Sequence, residues 1–339
     1  MQLHTNHELF TDLIKLTADH LKIPDVFVEK DYWVTTILKN IAESEFKDCV
    51  VFKGGTSLSK AYGLISRFSE DVGLALLCET GLSGGQRKKK LKSIENAATS
   101  GFTGANGQAV ESGREKESKG SKYRKTWWAY DRLSLDGEFG QAHPLLLLEI
   151  NSFADPNPHS PMSLQSFIGD FLAAQGDEEA IEEYVLEPFE INVLSTKRTM
   201  AEKIMGLCRA RHQCTADDYS ELAQKIRHVY DIHHLMTKDE DVKNLLPADD
   251  FFTILSEVHK NDKSVHNKSA DWCDVRLSDH VIFSDFSKVW PHLESVWNGN
   301  FKVLVHEETL PTKDALTACF DTLRQRLSDY DNWLESNAS

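Results

Sequence analysis

The feature that most constrains this chain is a short apolar run that ends in a pair of glycines. Residues 48–52 (DCVVF) predict a buried strand, and residues 54–57 (GGTS) separate it from a helix predicted over residues 58–64. Because glycine lets the backbone approach a ligand and N–H groups at a helix start attract anions, this order predicts a phosphate-binding turn. Glycine pairs also occur in ordinary tight turns, so the segment by itself leaves both interpretations open.

The part of the chain that follows supplies further strands and an acidic position. Residues 70–78 (EDVGLALLC), 127–135 and 144–153 (PLLLLEINSF) each predict a strand. Phosphoryl or nucleotidyl transfer requires a phosphate-binding turn together with carboxylates that hold a divalent metal ion about one strand away. The acidic start of the strand at residues 70–78 therefore strengthens the phosphate interpretation of the turn.

The remaining pattern predicts an α+β fold whose second half is helical. Amphipathic helices are predicted over residues 7–22 and 26–44, and a turn-rich connection over residues 155–161 (DPNPHSP). From about residue 197 the apolar spacing is mainly helical, with helices predicted over residues 198–211, 220–236, 251–260 and 313–335. We therefore expect two domains, residues 1–196 and 197–339.

Several classes of protein are not favoured by the sequence. The longest apolar runs are only a few residues, as at Leu145–Leu148, whereas a membrane helix needs about 20. The initial segment MQLHTNHELFTDLIKL lacks a basic start followed by an apolar core, so we expect no secretory signal. The six cysteines form no C-x-x-C pair. We expect a cytoplasmic protein with reduced thiols and no membrane partner.

Five stretches carry a resemblance to a known family. They lie in order along residues 23–240 and are EKDYWVT (29–35), FKGGTSLSK (52–60), RFSED (67–71), KRTMAEK (197–203) and RHVYDI (227–232). Together they resemble the AbiEii/AbiGii-type nucleotidyltransferase toxins of the polymerase-beta-like nucleotidyltransferase superfamily. The resemblance implies a nucleotidyltransferase domain with a mixed sheet, followed by a mainly helical C-terminal region.

The resemblance also implies roles for individual residues. The backbone and a hydroxyl of the glycine turn would hold the triphosphate, with further nucleotide contacts nearby; these residues are Gly54, Gly55, Thr56, Ser57, Lys60 and Arg198. Asp71 would ligate Mg²⁺ (or Mn²⁺), and Glu149 would add a carboxylate from a neighbouring strand. Lys203 would neutralise nucleotide phosphates, and Asp231 would orient Lys203 or the acceptor.

Two of these neighbourhoods also have a plain structural interpretation. Arg198 either anchors a phosphate or pairs with Glu202 four residues later on the same helix. Lys30 and Asp31, which are adjacent in the first motif, would form an internal ion pair that supports the glycine strand.

The chain departs from the family pattern at Gly73. The family's second motif is Asp-x-Asp, whereas this sequence reads Asp71-Val72-Gly73. On a strand, residues 71 and 73 share a face, so Gly73 removes one carboxylate from the expected metal site. Nothing local in the sequence requires glycine. The chain is then an inactivated toxin, which we favour, or a pseudoenzyme that binds nucleotide, or an enzyme whose metal shell Glu149 completes. In the first case, Gly73→Asp restores magnesium-dependent transfer.

The resemblance implies a function and partners. Such an enzyme takes a nucleoside triphosphate, transfers a nucleotidyl group to an RNA acceptor, the 3′ end of tRNA, and so blocks translation. It also implies a cognate antitoxin encoded alongside and a role in phage defence. A catalytically dead nucleotide-binding or partner-binding module is the alternative. A small-molecule nucleotidyltransferase, for example one acting on aminoglycosides, shares the fold but leaves the basic segment at residues 81–126 without a role.

The charge distribution locates a candidate RNA contact. The chain has 38 Lys and Arg against 53 Asp and Glu, a net charge of −15, which at first argues against a nucleic-acid partner. Residues 81–126, however, hold eight of the 18 glycines and 11 basic against four acidic residues, a charge of +7, so the remainder carries −22. We expect a mobile, glycine-rich insertion that grips RNA beside the active site through Arg87, Lys88, Lys89, Lys90, Lys92, Lys122, Arg124 and Lys125. A solvated flexible loop is the alternative.

Overall fold

The chain folds into two compact units. The computed structural model describes residues 1–69, 71–77, 81–102, 121–133, 145–153, 155–213, 218–243, 250–266, 271–307 and 309–337. One unit consists of Met1–Gly63 and Arg67–Leu194, and the other of Leu64–Ser66 and Ser195–Ser339. The first unit contains the sheet, and the second is built of helices. The α+β class predicted from the sequence is therefore confirmed, and the division after residue 194 lies close to the predicted division after residue 196.

The first unit is organised around a mixed six-stranded sheet of order β3-β4-β2-β1-β6-β5. Its strands are β1 (Val50–Lys53), β2 (Asp71–Leu76), β3 (Tyr123–Trp128), β4 (Leu146–Asn151), β5 (His159–Leu164) and β6 (Phe189–Leu194). β2 pairs with β1 in antiparallel and with β4 in parallel orientation. β6 is parallel to β1, while β3 and β5 pair antiparallel with β4 and β6.

Six helices belong to the sheet unit and eight to the second unit, among the residues that the structure describes. The first six are α1 (His7–Leu21), α2 (Asp25–Ala42), α3 (Gly55–Lys60), α4 (Gly84–Ala98), α5 (Phe167–Gln175) and α6 (Glu178–Glu183). The other eight are α7 (Thr196–Gln213), α8 (Ser220–Gln224), α9 (Ile226–Lys238), α10 (Glu240–Lys243), α11 (Asp250–His266), α12 (Val281–Ser284), α13 (Phe286–Val296) and α14 (Lys313–Asn337). No helix in these described ranges has the length and apolar character that crossing a bilayer requires.

Two sequence predictions about strands are wrong. The strand predicted over residues 127–135 ends at Trp128 and begins earlier, at Tyr123. β5 begins within the segment predicted as a turn-rich connection; it includes Pro161 and pairs with β6 at the end of the strand order. An edge strand tolerates proline because one side of its backbone makes no ladder hydrogen bonds, so proline does not exclude a strand there.

The basic segment is also more ordered than the sequence predicted. Residues 84–98 form helix α4 and residues 123–128 form β3, so neither part is a flexible loop. The Ser83 side chain accepts a hydrogen bond from the Gln86 backbone, and the Gln86 side chain accepts one from the Ser83 backbone, which completes a capping box. Residues 103–120 of this segment lie outside the described residues.

The central strands bury one face of the sheet and leave the other partly open. The even-numbered residues of β1–β4 form the apolar face, and Phe52, Val72, Leu74, Leu148 and Ile150 on it are fully buried. Helix α4 packs on this face beside α2, with Ile94 and Ala98 fully buried. The odd-numbered residues of the same strands form what we call the polar face, which includes Asp71, Gly73 and Glu149.

A buried carboxylate joins three helices of the sheet unit. Asp31 of α2 accepts hydrogen bonds from the Lys60 ammonium at 2.6 Å and from the Phe167 backbone at 2.8 Å. The Lys60 ammonium also donates to the backbone oxygen of Gln165 at 2.9 Å. The expected pairing of Lys30 with Asp31 is therefore replaced by a pairing with Lys60, and Lys30 donates to the Leu145 oxygen at 3.3 Å.

This arrangement predicts the effect of removing the Lys60 charge. The side chains of Lys60 and Asp31 are 4% and 5% exposed, so Lys60→Met leaves a buried carboxylate without its cation. Breaking a buried pair in this way costs about 3–5 kcal/mol, and we expect the free energy of unfolding in denaturant titrations to fall by that amount. The exposed Lys47 provides a matched control, since Lys47→Met is expected to change it by less than about 0.5 kcal/mol. A fully stable Lys60→Met protein with weakened nucleotide binding would contradict this structural role.

Candidate active site

The two glycines of the predicted phosphate-binding turn are required for different physical reasons. Gly54 precedes helix α3 with a φ of 97°, in the region that favours glycine. Gly55 is needed for space, because a Cβ there would lie 2.4 Å from the guanidinium of Arg67. Arg67 is 2% exposed and donates to the Phe68 backbone oxygen at 3.2 Å. No role for this arginine was predicted from the sequence, and it packs a buried cation against the turn.

The hydroxyl groups of the turn hold the turn itself together. The Thr56 hydroxyl donates to the Asp71 backbone oxygen at 2.6 Å and lies 2.9 Å from the Ser69 hydroxyl. The Ser57 hydroxyl donates to the Gly54 backbone oxygen at 2.8 Å. Both side chains are buried. These contacts fix the turn against the start of β2, so the expectation that a hydroxyl of this turn holds a phosphate is not supported by the geometry.

Lys60 and Arg198 are likewise engaged within the protein. The Lys60 ammonium is sequestered by Asp31 and does not serve as an open nucleotide contact. In the second unit, the buried Arg198 lies 3.2 Å from Glu257 and 3.8 Å from Glu202. The structural interpretation of Arg198 is therefore observed, with Glu257 as a second acidic neighbour that the sequence did not indicate.

The strand register brings the predicted carboxylates onto one face. Gly73 of β2 lies opposite Glu149 of β4 on one side and opposite Lys53 of β1 on the other. Glu149 in turn lies opposite Lys125 of β3. Residues directly opposite one another share a face, so these four residues form a row across the polar face, which we call the Gly73 row. Asp71 lies two residues before Gly73 on the same face, opposite Leu147, and is therefore a diagonal neighbour of Glu149.

This pair of carboxylates suits one hard cation. Mg²⁺ is commonly bound by one or two carboxylates, with water and substrate phosphates completing its shell, and Asp71 and Glu149 match that donor set. Gly73 contributes no ligand. The described parts of the chain contain no group of three or more His, Cys, Asp or Glu side chains arranged for a metal ion. Glu70, which also precedes this strand, lies outside the described residues.

The structure supplies a steric reason for Gly73, which corrects the expectation that nothing local requires glycine. A Cβ at this position would lie 2.9 Å from the backbone oxygen of Lys53 and 3.7 Å from its Cγ. Real Cβ atoms do not approach a backbone oxygen so closely, so any side chain here requires a shift of the backbone of β1 or β2. Gly73→Asp therefore adds more than a carboxylate, and the expected simple restoration of a metal site does not follow.

Two other predicted residues meet in the second unit. Lys203 of α7 donates to the carboxylate of Asp231 of α9 at 2.5 Å. The two residues are 5% and 0% exposed. The contact agrees with the expectation that Asp231 orients Lys203, and each charge is compensated by the other.

The basic residues do not form one surface beside the carboxylates. Helix α4 packs on the apolar face, so the cluster at residues 87–92 lies on the opposite side of the sheet from Asp71 and Glu149. The exposed members of this cluster are Lys88, Lys89 and Lys92. The predicted position of this cluster beside the active site is therefore wrong.

The remaining predicted RNA contacts divide between the two faces. Arg124 points to the apolar face, where it pairs with the buried Glu95 of α4. Lys125 lies on the polar face, with its ammonium 5.2 Å from the ring centre of Trp127. Lys122, which precedes β3, is exposed. Two members of the α4 cluster also make contacts within the protein, from Lys90 to the sulfur of Cys49 and from Arg87 to the Leu82 oxygen.

Comparisons with known proteins relate the chain to a family and a solved structure. The model of a family described as "Nucleotidyl transferase AbiEii toxin, Type IV TA system" matches residues 36–293. A search of curated proteins gave no match. Among solved structures, the chain is similar to MenT4, a nucleotidyltransferase toxin from Mycobacterium tuberculosis H37Rv, with a TM-score of 0.44 and 16% sequence identity. That alignment covers 95% of this chain and 98% of the other.

The crowding at Gly73 predicts a loss of stability on adding a single methyl group. Because a Cβ would press on the Lys53 backbone, we expect Gly73→Ala to lower the free energy of unfolding by about 1–3 kcal/mol, measured by denaturant titration. Gly85 near the start of α4 is the control, since no atom lies within 4 Å of an added Cβ there. Gly85→Ala should leave stability unchanged or raise it by up to about 1 kcal/mol. Equal stabilities for the two variants would show that β1 and β2 separate readily.

Proposed function

The chain belongs to the family of AbiEii nucleotidyl transferase toxins of type IV toxin–antitoxin systems, and from that premise we propose that it transfers a nucleotidyl group from a nucleoside triphosphate to an RNA acceptor. The reaction releases pyrophosphate. The observation that supports this proposal most directly is that Asp71 and Glu149 share the polar face on the adjacent strands β2 and β4, while β2 also pairs with β1, the strand that leads into the glycine turn.

Each part of the site then has a chemical task. The close backbone of the glycine turn binds triphosphate oxygens, and Asp71 and Glu149 hold Mg²⁺ or Mn²⁺. A bound divalent ion supplies positive charge that offsets the charge developing on the phosphates. Within the second unit, Asp231 fixes the position of the Lys203 ammonium. Catalysis in this scheme is positioning and electrostatic stabilisation, without a covalent intermediate on the protein.

The acceptor and the biological setting follow the family resemblance. We propose the 3′ end of tRNA as the acceptor, so that modification blocks translation in the cytoplasm. The type IV toxin–antitoxin family implies an antitoxin partner, and we propose that it is encoded alongside and that the pair acts in phage defence.

Gly73 lowers the activity of this site in our proposal. With one carboxylate fewer than an Asp-x-Asp strand, the polar face stabilises the transferring phosphate less, so transfer is slow. The crowding at Gly73 also favours a second candidate, a module that binds nucleotide without catalysis, because the strand is packed in a way that excludes the missing side chain.

A labelling experiment tests the enzyme proposal. The chain is incubated with Mg²⁺, total RNA and each labelled nucleoside triphosphate in turn, and we expect one labelled RNA band. Asp71→Asn removes a metal ligand without changing size, and we expect labelling to fall at least about 100-fold. The exposed Asp48 provides the matched control, since Asp48→Asn should label RNA normally. Triphosphate binding with no labelling by any protein would favour the non-catalytic module.

The exposed lysines of α4 give a separate prediction about RNA. We propose that a folded RNA acceptor extends beyond the polar face and contacts Lys88, Lys89 and Lys92. Replacing all three with Ser should weaken RNA binding and lower its salt dependence, by about 0.7 in the logarithmic slope for each phosphate that the lysines no longer neutralise. Filter binding across a salt series measures both quantities.

Its control is a triple replacement of exposed lysines elsewhere in the same unit, Lys15, Lys22 and Lys47. Both triple variants lose the same charge, so an equal effect on RNA binding would reveal only a general response to net charge. Unchanged affinity and slope in the α4 variant would identify the cluster as a solvated helix surface.

A further inference from the structure

In the Gly73 row, Lys53 lies directly opposite position 73, where the family pattern has a second aspartate. Lys53 is the last residue of β1, directly before Gly54, and it shares the polar face with Gly73. Its Cγ lies 3.7 Å from the point where a Cβ of residue 73 would be. The aliphatic stem of Lys53 therefore runs alongside the space that a side chain at position 73 would enter.

The charges on the polar face balance in this chain. Among the described residues of β1–β4 on this face, Lys53 and Lys125 carry two positive charges and Asp71 and Glu149 two negative charges, so their sum is zero. A carboxylate at position 73 would make the sum negative, and a second divalent ion would then be needed to attract a triphosphate. Without that carboxylate, the positive charge of Lys53, whose Cγ lies beside position 73, adds to the attraction for a triphosphate.

From this geometry we propose that Lys53 is a phosphate-binding residue that takes the place of a second metal ion, so that the chain binds a nucleoside triphosphate with a single divalent cation, held by Asp71 and Glu149. The inference rests on the proposed function, since it concerns the same triphosphate. It goes further by assigning the cation count and a role for Lys53, to which the resemblance gave none.

Position distinguishes Lys53 from the other lysine of the row. Lys53 adjoins the glycine turn in sequence and lies directly opposite Gly73. Lys125 lies on the far side of Glu149, and its ammonium is 5.2 Å from the ring centre of Trp127. Only Lys53 of these two combines the end of β1, the glycine turn and the space beside Gly73.

Binding measured without metal tests the role of Lys53. The α,β-methylene analogues of the four ribonucleoside triphosphates are titrated calorimetrically in EDTA against the full chain. We expect Lys53→Met to weaken binding of the preferred analogue about tenfold, Lys53→Arg to retain most of it, and Lys47→Met to bind within about twofold of the unaltered chain. A thermal unfolding scan of each variant verifies the fold. Equal affinity of Lys53→Met and the unaltered chain would overturn the inference.

The cation count gives a second test that needs no substitution. Mn²⁺ is titrated into the unaltered chain with saturating analogue and counted by electron paramagnetic resonance. One Mn²⁺ per chain, with the signal of an isolated ion, is expected, and two bound ions or a spin-coupled pair would overturn the inference.

The two tests also separate this inference from the proposed function. If the unaltered chain binds none of the analogues with or without Mn²⁺, the proposed function fails and the inference fails with it. If it binds one of them but with two Mn²⁺ ions, or with no contribution from Lys53, only the inference fails.

Discussion

The register of β2 between β1 and β4 is the constraint on which the candidate site depends. Burial of Val72 and Leu74 on the apolar face, against Phe52 and Leu148 of the neighbouring strands, fixes which side of β2 points inward. Because side chains alternate with a period of two, a slip by one residue would turn Asp71 into the core. Core packing, rather than any contact between the polar groups, thus determines which side chains meet on the polar face.

Structural features that depend only on residues close together in the sequence were predictable. The strands at β1, β2 and β4, the helices α1 and α2, and the long helices α7, α11 and α14 all follow from local apolar spacing. The shared face of Asp71 and Gly73 follows from strand alternation alone. For Glu149 the local pattern predicted a strand but not its pairing partner, since that depends on contacts between segments far apart in the chain.

The wrong predictions for Gly73 and Lys60 have the same cause, a contact with a segment that is distant in the sequence. Gly73 appeared unnecessary because the atom that excludes a side chain, the Lys53 backbone oxygen, belongs to another strand. Lys60 resembled a nucleotide contact because its carboxylate partner, Asp31, comes from a different helix. Helix α4 was obscured by its glycine and lysine content, although the Ser83–Gln86 capping box was present in the sequence as a signal of its start.

The close approach of β1 and β2 at Gly73 has an evolutionary consequence. With glycine at position 73, the backbones of β1 and β2 lie closer together than a side chain there would allow. A return to aspartate would require the backbone of β1 or β2 to shift as well as the residue to change. The reverse substitution is therefore harder than the substitution that introduced glycine. Positions 53 and 73 are therefore expected to vary as a linked pair among relatives, and the number of metal ions at the site would be inherited with that pair.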